Sequence, residues 1–78
     1  MEKVDLEFIK SIIKTKRELE IASINFDRAE AELIDYYSYQ IKANKAKLSY
    51  LIKEAKKRGY QLDMINELKA KIIEKEAM

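Results

Sequence analysis

The chain of 78 residues contains no cysteine, no histidine, no proline and no tryptophan, and only one glycine, Gly59. Each absence closes off a class of structure or chemistry. Without cysteine there is no disulfide, and without cysteine or histidine a structural zinc site is excluded, because only carboxylates remain as ligands. Triad and thiol mechanisms lose their base or their nucleophile, and a single glycine cannot build a glycine-rich phosphate loop. No run of about 18 apolar residues is present, so no membrane-spanning helix is expected. The opening stretch MEKVDLEFIKSIIK carries acids and scattered lysines where a signal peptide needs an uninterrupted apolar segment. A cytoplasmic location is the resulting expectation, and the lack of cysteine is compatible with it.

What is present is 47% apolar and 38% charged residues, the composition of long helices rather than of a sheet or a disordered tail. An all-α chain is expected, as one small domain over residues 1–78. At this size a lone core is marginal and no covalent or metal staple is available, so completion by oligomerisation is expected, with a homodimer favoured. The net charge of +2 is small, but it is unevenly spread. Residues 1–35 hold six basic and nine acidic groups, residues 36–58 seven and one, and residues 59–78 three and four. A strongly basic middle thus lies between two mildly acidic flanks.

From Phe8 the apolar positions alternate by threes and fours through Ile12, Thr15, Leu19, Ala22, Phe26, Ala29 and Leu33, the seam of a helix packed lengthwise on another. Leu6, Ile9, Ile13 and Ile24 form a second set part of a turn away, which predicts more than one neighbour for this helix. After Leu33 the apolar line continues by two consecutive steps of four to Tyr37 and Ile41, then runs through Leu48, Leu51 and Ala55. Such a stutter marks either a relaxed supercoil in one continuous helix or a junction between two helices. Asp27 and Glu30 have the spacing of a capping box, which supports a junction within residues 26–33. An unbroken helix from Asp5 to Arg58 would be roughly 80 Å long and would need a coiled-coil oligomer to support it. The expected fold is an antiparallel helical hairpin, helix one about 5–27 and helix two about 32–58, with the continuous helix as alternative. Gly59, after KEAKKR, supplies a left-handed helix cap, and a short third helix follows over about 62–76 on Leu62, Ile65, Leu68, Ile72 and Ile73.

Residues 33–59, LIDYYSYQIKANKAKLSYLIKEAKKRG, hold four of the five tyrosines among seven basic residues. Projected as a helix they separate into three faces. Ile34, Tyr37, Ile41, Leu48, Leu51, Ile52 and Ala55 form an aliphatic stripe, the ordinary core side. Tyr36, Tyr39, Ala43, Ala46 and Tyr50 gather well over a third of a turn away, and Lys42, Lys45, Lys53 and Lys56 occupy a polar face between. Small residues beside amphipathic rings suit the close approach of another helix, so the tyrosine/alanine face is the candidate partner interface. The alternative is nucleic acid stacked on the rings with Lys42, Lys45, Lys53 and Lys56 on phosphates. Against it, the lysines point partly away from the rings, and only one of the seven cations is arginine. A membrane-surface role for the basic helix is a third possibility, weakened because the richer aliphatic face is needed for the core.

Catalytic candidates are absent: Glu18 with Glu20, and Glu30 with Glu32, are two apart and face different ways on a helix. Asp63, Glu67 and Glu74 read as a solvated edge, and helical di-metal sites would want a Glu-x-x-His signature. No catalytic, metal or cofactor residue is therefore assigned, and a non-enzymatic interaction protein is expected.

The tyrosine-rich segment resembles the YaaL-like family, small uncharacterised proteins of low-GC Gram-positive bacteria. The similar points are Leu33-Ile34-Asp35-Tyr36-Tyr37, Tyr39, Lys42-Ala43, Tyr50-Leu51, Lys53-Glu54-Ala55-Lys56 and Gly59, with KRELEIASINF from Lys16 to Phe26 similar to the family's first helix. The resemblance spans residues 15–59 and implies a helical hairpin and a cytoplasmic bacterial protein, with no biochemical activity attached. One departure is that the family's Asp-Pro before the Leu-Ile-Asp-Tyr-Tyr run is replaced here by Glu30-Ala31, which removes the strongest turn signal.

Overall fold

The computed structural model describes residues 5–76, apart from the side chains of residues 74–76. Three helices make up this region: α1 Leu6–Arg28, α2 Ala31–Lys57 and α3 Leu62–Glu76. No strand occurs among the described residues. The hairpin expected from the change of period is present, and the continuous helix is not.

α1 begins at Asp5, whose carboxylate accepts the amide N–H of Phe8 at 3.1 Å and so satisfies one of the unpaired donors of the first turn. It ends at Arg28, and the chain reverses through two residues only. Ala29 has φ −71° and ψ 141°, and Glu30 has φ −71° and ψ 157°. These are extended conformations open to any L-residue, so the turn needs neither glycine nor proline. The Asp27/Glu30 capping box does not form. α1 runs on past Asp27, and Glu30 is itself the N-cap residue of α2, making no side-chain cap hydrogen bond. Leu33, which continues the α1 seam in sequence, lies on α2.

Ala31 is the first helical residue of α2, where an amide has no intrahelical partner and proline is well accommodated. Glu30 already holds the backbone angles that a following proline favours. Ala31→Pro is therefore expected to stabilise the chain by about 0.4–1 kcal/mol, by reducing the freedom of the unfolded state. A lower urea midpoint than that of the natural chain would contradict this account of the turn.

α2 closes through Arg58 and Gly59. With φ 79° Gly59 takes the left-handed conformation, its N–H donating to the Lys56 carbonyl at 3.0 Å and that of Tyr60 to the Ala55 carbonyl at 2.9 Å. This pair of bonds is a Schellman cap, and it turns the chain back toward α1.

α1 and α2 are antiparallel, and α1 also packs against α3, as its two apolar sets predict. Ile9, Ile12 and Ile13 of α1, Leu51 and Ala55 of α2 and Ile65 of α3 form the core, flanked by Phe8, Leu48, Ile52, Tyr60, Leu68 and Ile72. Thr15 is also buried, and its hydroxyl is satisfied by donating to the Ser11 carbonyl at 2.8 Å. α3 covers only part of the hairpin. Its 15 residues span roughly 22 Å against roughly 40 Å for α2, and Ile72, near its end, lies beside Ile13 and Arg17. Beyond that point the molecule is two helices thick. Between residues 16 and 50 Ala22 is the one buried residue, while Ile21, Ile24, Leu33 and Ile34 are exposed.

Candidate functional site

The three faces read from the sequence of α2 have different fates in the fold. On the aliphatic face Leu51 and Ala55 are buried and Tyr37, Ile41, Leu48 and Ile52 are half-buried. Ile34, on the same face, is exposed because α3 does not reach its level. Tyr36, Tyr39, Ala43, Ala46 and Tyr50 are all exposed, the rings at 54%, 68% and 62% of their full area. Their spacing along α2 is three, four, three and four residues. That is the spacing of a helix-packing seam, and among the described residues no element covers it.

The seam lies on the side of the hairpin opposite α3. Ala43 borders a shallow groove of about 350 Å³ between the two long helices, together with Glu18, Ile21, Gln40 and Asn44. Ile52, nine residues on, borders the apolar cleft that includes Ile65 of α3. Nine residues at about 100° each place the two positions about 180° apart around α2.

Two of the three rings are held along the helix by neighbours. Tyr36 sits edge-on to Tyr37 with centroids 5.0 Å apart, and its hydroxyl accepts a hydrogen bond from Gln40 Nε2 at 2.7 Å. The Lys42 ammonium lies 5.9 Å from the centre of the Tyr39 ring. Restraints of this kind lower the ordering cost of binding. Lys42, Lys45, Lys53 and Lys56 are exposed and form no ion pair with a described partner. The ion pairs that do form, such as Lys14 with Glu18 and Lys57 with Glu54, are mostly exposed and add little stability.

A second cluster was not legible from the sequence. Arg58, in the sequence the one arginine among the seven cations of residues 33–59, lies over the Phe8 ring at 3.9 Å and has Nη1 3.4 Å from Asp5 Oδ2. Tyr60 packs against Phe8 at 6.0 Å, and its hydroxyl accepts the Asp5 N–H at 3.1 Å. Together they tie the start of α1 to the end of α2. The available signal was position: Tyr60 directly follows the capping glycine, where an apolar contact back onto the helix is usual. Ile21 was also missed, because it lies off both apolar sets of α1.

Among the described residues no helix is long and apolar enough to cross a membrane, and no three or more carboxylates converge as a metal site. A model of the family described as "Protein of unknown function (DUF2508)" matches residues 1–62, a wider span than the segment that carries the YaaL-like resemblance. No curated protein and no solved structure matches the chain.

Proposed function

We propose that this chain, which belongs to the DUF2508 family of proteins of unknown function, is a non-enzymatic helical interaction protein that receives a partner helix along Tyr36, Tyr39, Ala43, Ala46 and Tyr50. The observation that carries the reading is the uncovered three-four seam on α2, with the chain's own third helix on the opposite side. Alanines at its centre let a second backbone approach closely. The phenol rings supply contact area at low entropic cost, and their hydroxyls stay at a wet rim. The YaaL-like resemblance of residues 15–59 attaches no activity to this reading and implies a cytoplasmic bacterial setting for it.

Nucleic acid is the second reading, and the contact that favours it is Lys42 beside the Tyr39 ring, which brings the basic run and the aromatic seam together. The same contact counts against stacking, because it occupies a ring face that a base would need. The two readings part on substitution. Tyr36→Ser/Tyr39→Ser/Tyr50→Ser is expected to abolish capture of a co-purifying protein from the native host while circular dichroism stays helical, since all three rings are largely exposed. Salt-sensitive retention of DNA or RNA that disappears in Lys42→Gln/Lys45→Gln/Lys53→Gln/Lys56→Gln would establish the nucleic-acid reading instead. A tyrosine variant that keeps its partner sinks the interaction reading.

A further inference from the structure

In the three-four spacing of the tyrosine seam the position before Tyr36 is Glu32, and the two after Tyr50 are Lys53 and Lys57. All three are exposed, so the uncovered face carries an acid at its start and two bases at its end. Read against itself in reverse about a point between Ala43 and Ala46, this line pairs Glu32 with Lys57, Tyr36 with Lys53, Tyr39 with Tyr50 and Ala43 with Ala46. The face is complementary to its own reverse.

The edges of the seam keep the same register. Asp35 comes opposite Lys56 on one edge, where Lys42 meets Ser49, and Lys47 meets Gln40 on the other. No lysine is set directly against a lysine. Parallel pairing would instead put Glu32 on Glu32, Lys53 on Lys53 and Lys57 on Lys57. An antiparallel register shifted by one heptad sets the alanines against Lys53 and Tyr50, or against Tyr39 and Tyr36, and forfeits their close approach.

We infer that the helix occupying the seam is α2 of a second copy, antiparallel to the first about a two-fold axis between Ala43 and Ala46. This rests on the partner-helix reading and names the partner. The alanine layer lets the two helix axes approach to about 8 Å, the close end of helix packing. On either side of it Tyr39 of one copy packs on Tyr50 of the other, and beyond that the Lys53 ammonium reaches the face of Tyr36. Lys57 is now held only by Glu54 at 3.4 Å, in a pair whose lysine is 75% exposed, so it is free to take Glu32 of the second copy at little cost. The contact runs roughly 38 Å along α2. α3 lies on the opposite side of the hairpin and stays clear of it.

The first test is the mass of the full chain by light scattering, expected at twice 9.2 kDa. Tyr36→Ser/Tyr39→Ser/Tyr50→Ser is expected at the single mass with its helical circular dichroism kept, because the rings are exposed in one copy. Glu32→Lys and Lys57→Glu should each weaken pairing about tenfold, and Glu32→Lys/Lys57→Glu should recover it. Register is tested by disulfides, since the natural chain has no cysteine. An oxidised mixture of Tyr39→Cys and Tyr50→Cys should give the mixed disulfide, whereas neither variant alone should cross-link, its two cysteines lying roughly 16 Å apart along the axis.

Cross-linking of either variant alone, without the mixed product, means parallel pairing and overturns the proposal. So does a tyrosine variant that still pairs, or a charge-swapped chain that does not recover. A natural chain that stays at the single mass at every accessible concentration overturns it too. The seam as an interface survives that last result, because capture from the native host tests it separately.

Discussion

Ile12→Ala is expected to cost about 2–5 kcal/mol, a loss matched only by truncations at equally buried core positions such as Ile9. Ile12 is fully buried where α1, α2 and α3 meet, among Ile9, Ile13, Leu51, Ala55 and Ile65. Truncation removes transfer free energy and leaves a cavity that the three helix backbones cannot close together. For a 78-residue chain total stability is of the order of 4–12 kcal/mol, so the loss is a large share of the whole. The melting temperature should fall by 8 °C or more, at about 4–8 °C per kcal/mol for a domain of this size. Leu62→Ala, at a side chain 64% exposed, should move it far less. Equal melting shifts for Ile12→Ala and Leu62→Ala would mean that the three-helix core does not hold the molecule together.

Ala22→Leu is expected to cost about 1–3 kcal/mol through overpacking. Ala22 has no exposed area and is the one buried residue between 16 and 50, so it marks the place where α1 and α2 come closest away from the core. A leucine there would push the helices apart beside the groove that Glu18, Ile21, Gln40, Ala43 and Asn44 line. The damage should be local. Hydrogen exchange should speed up in residues 18–26 and 36–46 while residues 9–15 and 48–55 keep their protection, since α3 and the Ile12 cluster are untouched. Unchanged exchange in both halves would show that the hairpin is loosely packed at Ala22.

Much of the fold was legible because helix formation and capping are local. The three-four alternation from Phe8 to Ala29 and the cap at Gly59 are properties of neighbouring residues, and both are found in place. The seam did mislead at its end. Leu33 continues the spacing of α1 but sits past the turn, because apolar spacing carries no mark of where a chain doubles back. The turn itself was placed only within residues 26–33, and by a capping box that does not form. Ala29 and Glu30 are ordinary residues in ordinary extended angles, and nothing in them forbids a helix. The candidate interface was read as a set of residues on one helix face, yet its exposure could not be read, because burial depends on where the other helices go.

By itself the sequence determined that this protein is helical, where α2 ends, which residues share each face of α2, and how charge is divided along the hairpin. These follow from helical periodicity, from the one glycine and from the order of acids and bases, none of which needs knowledge of distant contacts. Only the tertiary structure decided that the long apolar stretch folds back at Ala29 and Glu30, because burying Ile9, Ile12 and Ile13 against Leu51 and Ala55 is possible only in the hairpin. It also decided which side α3 takes. By lying along Ile9 and Ile13 and stopping beside Arg17, α3 leaves the tyrosine seam uncovered on one side and Ile24 and Ile34 uncovered on the other.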